Sequence, residues 1–530
     1  MTSSDLPATD PVTPPNAPSL FGRIRAFLSR DDVGKWLFLL TLVAGAVHRG
    51  WFIFSANPPK NFVWSDMQGY VERAARLADP KIKLNPFDAF YPPGTHALLA
   101  PFFALTKSRD AALAAGQSLW FVFAVGTLVA VGLIANRLFK HPLAAFIATT
   151  LVWTHWAFSV FAGFFSSENP FACFMCVSLL VALWARDIPT DRRWARTGAF
   201  ALAGLLAGIT ASIRPQFVIQ AAFMGLPLIG FYSLYGRVRA LFRKGADRPK
   251  EPWFHFREAI ALAVMFLLPC IATMRLNSAA MNKPSGMSNN AGLNFYQAHC
   301  DVVHVHMQGM GFAAPVRIQR MINEGRDANK KVVHKRYGWD NEYFFDLGFK
   351  CIRKDGWSHA RRIYTNVADL FATTEPWPPN QGKFRRVTTI SNVVYCYALL
   401  FIVPVALWLA RRRRPERWLL VQHACILPVG LLFVGDPRYR IPYDVFGMLL
   451  LTGIIMAGLK LRRDERSDAT QAETPAAPDE SSPETNDDEQ ASSADEEVSS
   501  SDEEKPAAAA EESRPADSED NSPASGKTAD

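Results

Sequence analysis

One carboxylate and a few arginines carry most of the chemistry this sequence offers. Asp66 stands in Phe62-Val63-Trp64-Ser65-Asp66-Met67-Gln68-Gly69-Tyr70, and the stretch closes on Tyr91-Pro92-Pro93-Gly94-Thr95-His96. An aspartate in a first helical turn commonly serves the helix dipole, for about 0.3–1 kcal/mol. Its context raises a second reading, as a base. Three further polar groups stand at the ends of apolar runs, where charge is costly and usually functional. They are Glu168 in Ser166-Ser167-Glu168, Arg214 before Pro215, and Arg438-Tyr439-Arg440. Each also has a plain reading: a helix start for Glu168, interfacial snorkelling for Arg214, an aromatic-basic anchor for Arg438 to Arg440. Taken together they suit phosphate chemistry. Arginine forks bind phosphate oxygens bidentately. A phosphate leaves with its charge already well carried, so group transfer from it needs no general acid. One carboxylate drawing a proton from an acceptor hydroxyl or amine suffices. Tyr70, Tyr91 and His96, in the same stretch as Asp66, join the candidate substrate contacts.

These groups need a scaffold. The spacing predicts a helix starting at Ser65, with Ser65 as N-cap and Gln68 completing a capping box. Met67, Tyr70, Val71, Ala74, Ala75 and Ala78 share one face at helical spacing. That helix is expected to lie along the bilayer surface, with Arg73, Arg76 and Asp79 turned to water. Pro92-Pro93-Gly94 starts a second, interfacial or half-inserted helix over Thr95–Thr106.

A membrane span takes about 20 mostly apolar residues. Ten candidates stand at about 36–55, 111–135, 143–161, 170–185, 197–213, 216–235, 258–277, 387–410, 418–434 and 442–460. Alternate connections are strongly basic: Arg23 to Lys35, Arg137 with Lys140, Arg186 to Arg196, Arg237 to Lys250, Arg411 to Arg417, and Lys460 to Arg463. The positive-inside rule assigns these to the cytoplasm. Both termini are then cytoplasmic, and 62–110 and the long 278–386 connection face outward. Helix-like runs within that connection fall at 315–324 and 341–370.

The overall formal charge of +8 conceals two polymers. From about Asp464 onward, about 22 acids stand against about 4 bases, with few large apolar side chains. Such a segment cannot offset its chain entropy and is expected to be disordered. The rest is left near +26, in bands between apolar runs, which points to membrane topology and not to nucleic acid. Residues 1–35 form an N-terminal arm, expected to be disordered to about Ser19. It lacks the pattern of a cleavable signal peptide, so the first span is expected to be an uncleaved anchor. Cys173 and Cys176 sit in an apolar helix and suit packing. Cys300 and Cys351 are free to pair if their segment is extracytoplasmic. His304-Val305-His306 has no companion ligands at metal-binding spacing. A divalent metal stays open without spacing to support it, and no other cofactor is implied.

The pattern resembles the GT-C superfamily of polytopic glycosyltransferases, in particular the protein O-mannosyltransferase-like and aminoarabinose-transferase-like branch. The resemblance covers about 36–460. It rests on Ser65-Asp66 with Tyr70 and Ala74, Tyr91-Pro92-Pro93-Gly94, and Asn136-Arg137-Leu138-Phe139. Further marks are Gly208-Ile209-Thr210-Ala211-Ser212-Ile213-Arg214-Pro215, Asn290 to Tyr296, and Asp436-Pro437-Arg438-Tyr439-Arg440-Ile441-Pro442. Met67 stands where many relatives carry a second acid directly after the aspartate. The resemblance implies an all-α polytopic membrane protein of about ten transmembrane helices, with a GT-C-like domain over 36–460 and an acidic tail at 461–530. It implies transfer of a sugar from a polyprenyl-phosphate-linked donor to an envelope glycan, lipid or protein, on the outer face of the cytoplasmic membrane. Asp66 would be the base, and Arg214, Arg438 and Arg440 the ligands of the carrier phosphate. Two other classes stay open on the sequence: a transporter or flippase for a lipid-linked solute, and a polyprenyl-linked glycan ligase or polymerase. Against the transporter, no repeated halves or mid-membrane polar groups occur.

Overall fold

A computed structural model describes residues 20–106, 108–228, 255–302, 304–308, 310–312, 331–374, 377–378, 384–411 and 413–459. The acidic tail, the first 19 residues and the expected helix at 315–324 lie outside these. Within them the chain is a helical polytopic membrane protein. Seven helical segments are long and apolar enough to cross a membrane.

The chain opens with α1 (Leu20–Leu28) and α2 (Asp31–Trp51), the latter continued by a π-helical turn at Phe52–Ala56. Next come α3 (Ser65–Ala78), α4 (Gly94–Leu105), α5 (Arg109–Phe139), α6 (Pro142–Thr154) and α7 (Ala157–Ala162). They are followed by α8 (Glu168–Asp187), α9 (Arg193–Ile213), α10 (Phe217–Leu228) and α11 (Phe256–Met281). Seven of the ten expected spans correspond to the long segments. The sixth is α10, and its expected remainder to 235 lies outside the described residues. The third is split into α6 and α7 at His155, whose ring is held between Ser391 and Asp444. The ninth is split into α16 and α17, described below.

Residues 278–386 contain α12 (Ala291–His299), three short strands β1 (His304–Met307), β2 (Met310–Phe312) and β3 (Lys331–His334), then α13 (Asn341–Asp355) and α14 (His359–Leu370). The strand order is β2-β1-β3, with β1 antiparallel to β2 and parallel to β3. These few residues are the exception in a chain that is otherwise helical, in keeping with the all-α expectation. His304 and His306 lie on its central strand, with Lys331 and Val333 as their register partners on β3. Leu293, Tyr296, Val305, Met307 and Phe344 form a small core here, and Phe90 from the first loop completes it. Cys300 and Cys351 are disulfide-bonded, joining α12 to α13. They are 51 residues apart in sequence, and closing a loop of that size withdraws about 4 kcal/mol of chain entropy from the unfolded state. Replacing both by Ser should therefore lower the thermal midpoint of the full chain. A reductant should lower the parent's midpoint to match and leave the variant unchanged.

The last helices are α15 (Arg385–Ala410), α16 (Arg414–Ala424), α17 (Leu427–Leu432), the short α18 (Pro437–Arg440) and α19 (Asp444–Gly458). The break between α16 and α17 stands just before Pro428, a residue suited to a helix start. The largest core cluster draws on α5, α6, α8, α9, α15 and α19. Cys176 is part of it, and Cys173 is buried in the neighbouring cluster.

Two expectations about α3 change. Its apolar face does not rest on lipid: Met67, Val71 and Ala74 are buried against Leu99 of α4, Leu113 and Trp120 of α5, and Phe164 and Phe165. Ser65 is not an N-cap. It is the first helical residue, with φ of 50°, and no side chain caps the helix start. The amide of Gln68 donates to Glu72 instead of closing a capping box.

Candidate active site

The polar groups at the apolar helix ends come together at one end of the bundle. Asp66 leads α3, Glu168 leads α8, Arg214 follows α9 and Arg438 lies in α18. One guanidinium joins the two carboxylates. Arg438 donates from Nε to Glu168 Oε1 at 2.9 Å, and from Nη1 and Nη2 to Asp66 Oδ2 at 3.2 and 3.3 Å. Arg214 donates from Nη2 to the same Glu168 oxygen and from Nε to Ser167 Oγ at 3.0 Å. Tyr439 lies between the two arginines, each 5.4 Å from its ring centre. Trp377 covers Arg438 from the other side at 4.5 Å.

The local backbone explains the gathering. Ser65 stands in the left-handed region, a conformation that costs a non-glycine residue about 1–3 kcal/mol and clusters at functional sites. It immediately precedes Asp66. The Pro92-Pro93-Gly94 turn brings α4 against the end of α9. A Cβ on Gly94 would lie 2.5 Å from the Ile213 nitrogen, so only glycine permits that approach beside Arg214.

Exposure separates the two carboxylates. The Asp66 and Arg438 side chains are 15% and 14% exposed, whereas Glu168 is 0% exposed and Arg214 7%. Glu168 and Arg214 therefore form the floor, and Asp66 with Arg438 the accessible layer above it. The hydroxyl of Tyr91 donates to Asp66 Oδ1. Burial, with the Asp66 charge second, raises Tyr91 well above the usual phenol range, so it stays a donor. Tyr70 packs tilted against Tyr91 with centroids 5.0 Å apart, and burial pushes its hydroxyl up to about 12.

Arg73 is a correction. Expected in water, it is 1% exposed, its guanidinium 3.8 Å above the Phe87 ring and 4.8 Å from that of Tyr91. Its Nε donates to the Phe87 carbonyl at 2.8 Å. Burial lowers it to about 10, so it remains a cation at neutral pH. Gly69, one turn earlier, makes room: a Cβ there would lie 2.6 Å from Arg73 Nη1. Arg73 thus holds the 85–91 loop and sets the place of Tyr91. Arg76, half-buried, pairs with Asp88 at 2.6 Å on the same loop.

Two candidates stand apart from this cluster. His96 is 2% exposed among Arg73, Asp88 and Asn277, and burial lowers it well below the usual imidazole range, so it is neutral and no phosphate ligand by charge. Arg440 is 0% exposed and points away from Arg438. It pairs with Asp444 at 3.0 Å and donates to Asn392 and to Cys396 Sγ, while His155 reaches the same Asp444 at 3.2 Å. Removing one partner of such a buried pair costs about 3–5 kcal/mol. Arg440→Ala should therefore lose folded protein on thermal unfolding, with transfer per folded molecule little changed. A loss of donor use at normal stability would return Arg440 to the site.

Among the described residues, no group of three or more His, Cys, Asp or Glu side chains is placed to hold a metal ion. Trp377 was missed by the sequence reading, although a tryptophan before two prolines in an otherwise polar segment is a usable signal.

Fold and site define a membrane-embedded helical protein with a charged, aromatic-walled centre at one end of its bundle. No protein-family model matches the chain, and no curated relative does. Solved structures similar to it include archaeal oligosaccharyltransferase AglB from Archaeoglobus fulgidus in complex with an inhibitory peptide and a dolichol-phosphate. The identity is 16% and the TM-score 0.41, over 84% of this chain and 52% of that one. A second is the Archaeoglobus fulgidus oligosaccharyltransferase tethered to an acceptor peptide containing the NVT sequon, at 15% identity and TM-score 0.40, over 81% and 50%. The chain spans about half the length of these proteins.

Proposed function

We propose that this chain is a GT-C-type glycosyltransferase of the cytoplasmic membrane, moving a sugar from a polyprenyl-phosphate donor to an envelope glycan, lipid or protein on the outer face. The observation that carries the reading is the single guanidinium of Arg438 shared between a buried carboxylate, Glu168, and an accessible one, Asp66.

Glu168, itself held by Arg214, holds Arg438 by its Nε edge, and the Nη edge of Arg438 makes the longer contacts to Asp66. A donor phosphate has the charge and oxygen geometry to take that Nη edge. The exchange leaves Asp66 with its Tyr91 hydrogen bond on one oxygen and the other oxygen open to an acceptor. As the acceptor hydroxyl or amine attacks the anomeric carbon, Asp66 takes its proton. The bond from that carbon to the phosphate oxygen breaks, and the carrier phosphate departs with its charge on Arg438, Arg214 lying behind. One displacement of this kind inverts the anomeric centre.

Two features support the outward placement of the site. Among the described residues, the basic connections Arg137 with Lys140 and Arg186 to Arg196 fall at the ends of α5, α8 and α9 away from Glu168 and Arg214. A disulfide in the 278–386 segment suits an oxidising compartment. The test is mass spectrometry of envelope glycans, lipids and proteins from strains with and without the chain, followed by transfer from a synthetic polyprenyl-phosphate sugar by the purified full chain. A sugar lost from one acceptor class in the strain and restored in the tube supports the reading. Unchanged glycans in the strain and no transfer with any donor would reject it.

A further inference from the structure

The end of the bundle away from Asp66 carries a second feature. At their C-terminal ends α5 and α8 diverge around a groove of about 640 Å³. Its wall is apolar, with Leu133 from α5 and Leu180 and Val181 from α8, and Trp184 forms its rim. Leu133 and Trp184 are 40% and 45% exposed. Arg137 and Lys140 stand on the α5 side, and Asp187 opposite. The groove lies twelve to nineteen residues along α8 from Glu168, roughly 18–28 Å by helical rise. The catalytic cluster and the groove therefore stand near opposite faces of a bilayer.

We propose that this groove is a binding site for one anionic phospholipid of the cytoplasmic leaflet. Its acyl chain lies on Leu133, Leu180 and Val181, and its headgroup phosphate between Lys140 and Arg137. The groove opens sideways between two spanning helices, so hydrocarbon and not water meets its apolar wall. Trp184 at the rim is the residue type that settles at headgroup level.

Charge selects the headgroup. Asp187 takes a hydrogen bond from Arg137 Nε at 2.6 Å and is also reached by Arg186 at 3.2 Å. The Arg137 bond uses Nε, and its Nη pair makes no hydrogen bond among the described residues. Lys140 is exposed, in the left-handed conformation that ends α5. Against Asp187 stand Arg137 and Lys140 of the groove, and Arg186, outside its lining, shares the Asp187 carboxylate. The two helix C-termini contribute about half a negative charge each. The balance is still about one positive charge, which favours a lipid with net negative charge over a zwitterion. This proposal is independent of the reaction assigned to Asp66.

The test is native mass spectrometry of the delipidated full chain in detergent, titrated with phosphatidylglycerol or phosphatidylcholine of matched chains. A base near a membrane surface is worth about fivefold in lipid binding. The parent should prefer phosphatidylglycerol by well over fivefold, since Lys140 and Arg137 both contribute. Lys140→Gln, which removes an exposed side chain and cannot unfold the bundle through a lost pair, should reduce that preference about fivefold. Adding Arg137→Gln should abolish it. Leu180→Trp, which fills the wall, should weaken both lipids while the parent's thermal midpoint is kept. Inorganic phosphate at equal concentration should not displace the lipid. Equal binding of the two lipids, an unchanged preference in the double variant, or displacement by inorganic phosphate would each overturn the proposal.

Discussion

Replacing Asp66 by Asn should lower sugar transfer at least ~10²-fold while leaving the folded protein in place. The amide keeps the size of the side chain and still accepts the Tyr91 hydrogen bond, but it cannot take a proton. The Asp66 side chain is 15% exposed, so the loss of charge does not leave a fully buried Arg438 without a partner. Glu168 still holds that guanidinium by Nε. Asp66→Glu should also be poor, because the extra methylene moves the carboxylate away from near-attack placement. A residue serving only the helix dipole would behave otherwise: Asn would cost a little stability, Glu almost none, and activity would follow the amount of folded protein. Measuring transfer per folded molecule for both variants decides between them. Parent-like transfer by Asp66→Asn would end the assignment of Asp66 as base.

The second large effect is expected at Arg438. Its guanidinium meets Glu168 and Asp66 from different edges, a geometry that a point charge on a flexible stem cannot reproduce. Arg438→Ala should raise the donor KM roughly 10- to 150-fold, corresponding to about 1.5–3 kcal/mol for a charge-assisted contact. The acceptor KM should move much less. Arg438→Lys should recover part of the donor binding and none of the coupling to Asp66. Arg438 is the better arginine to test, since it reaches both carboxylates and is 14% exposed, whereas Arg214 lies deeper at 7%. A donor KM unchanged in Arg438→Ala, with transfer intact, would place the carrier phosphate elsewhere.

How much of this was legible in the sequence depended on how local the governing contacts are. Asp66, Glu168, Arg214 and Arg438 stood out because charge at the end of an apolar helix is costly, and the structure gathers all four. Arg440 stood out for the same reason and went elsewhere. Two residues along a helix point in roughly opposite directions, and Arg440 meets Asn392, Cys396 and Asp444 where Arg438 meets Glu168 and Asp66. The sign was present in Asp444, four residues on, a spacing that pairs side chains on one helical face. Arg73 was assigned to water by periodicity, which says nothing of the loop that folds back over it. Gly69 four residues before it was the available hint. The small sheet depends on β1 pairing in parallel with β3, more than twenty residues away, and no short-range pattern encodes that.

The first loop and the 278–386 segment share one side chain. Phe90 fills the small core of the segment, and Tyr91 beside it holds Asp66. The bond from the Asn289 amide to the Ala89 carbonyl, at 3.0 Å, fastens the same junction. Such a joint limits what can be exchanged between relatives. A chimaera that borrowed a different outer segment, to reach a different acceptor, would also have to bring a pocket that accepts Phe90. Without it the graft would fold and still displace Tyr91 from Asp66, so on the proposed function acceptor range could not be changed as a detachable module.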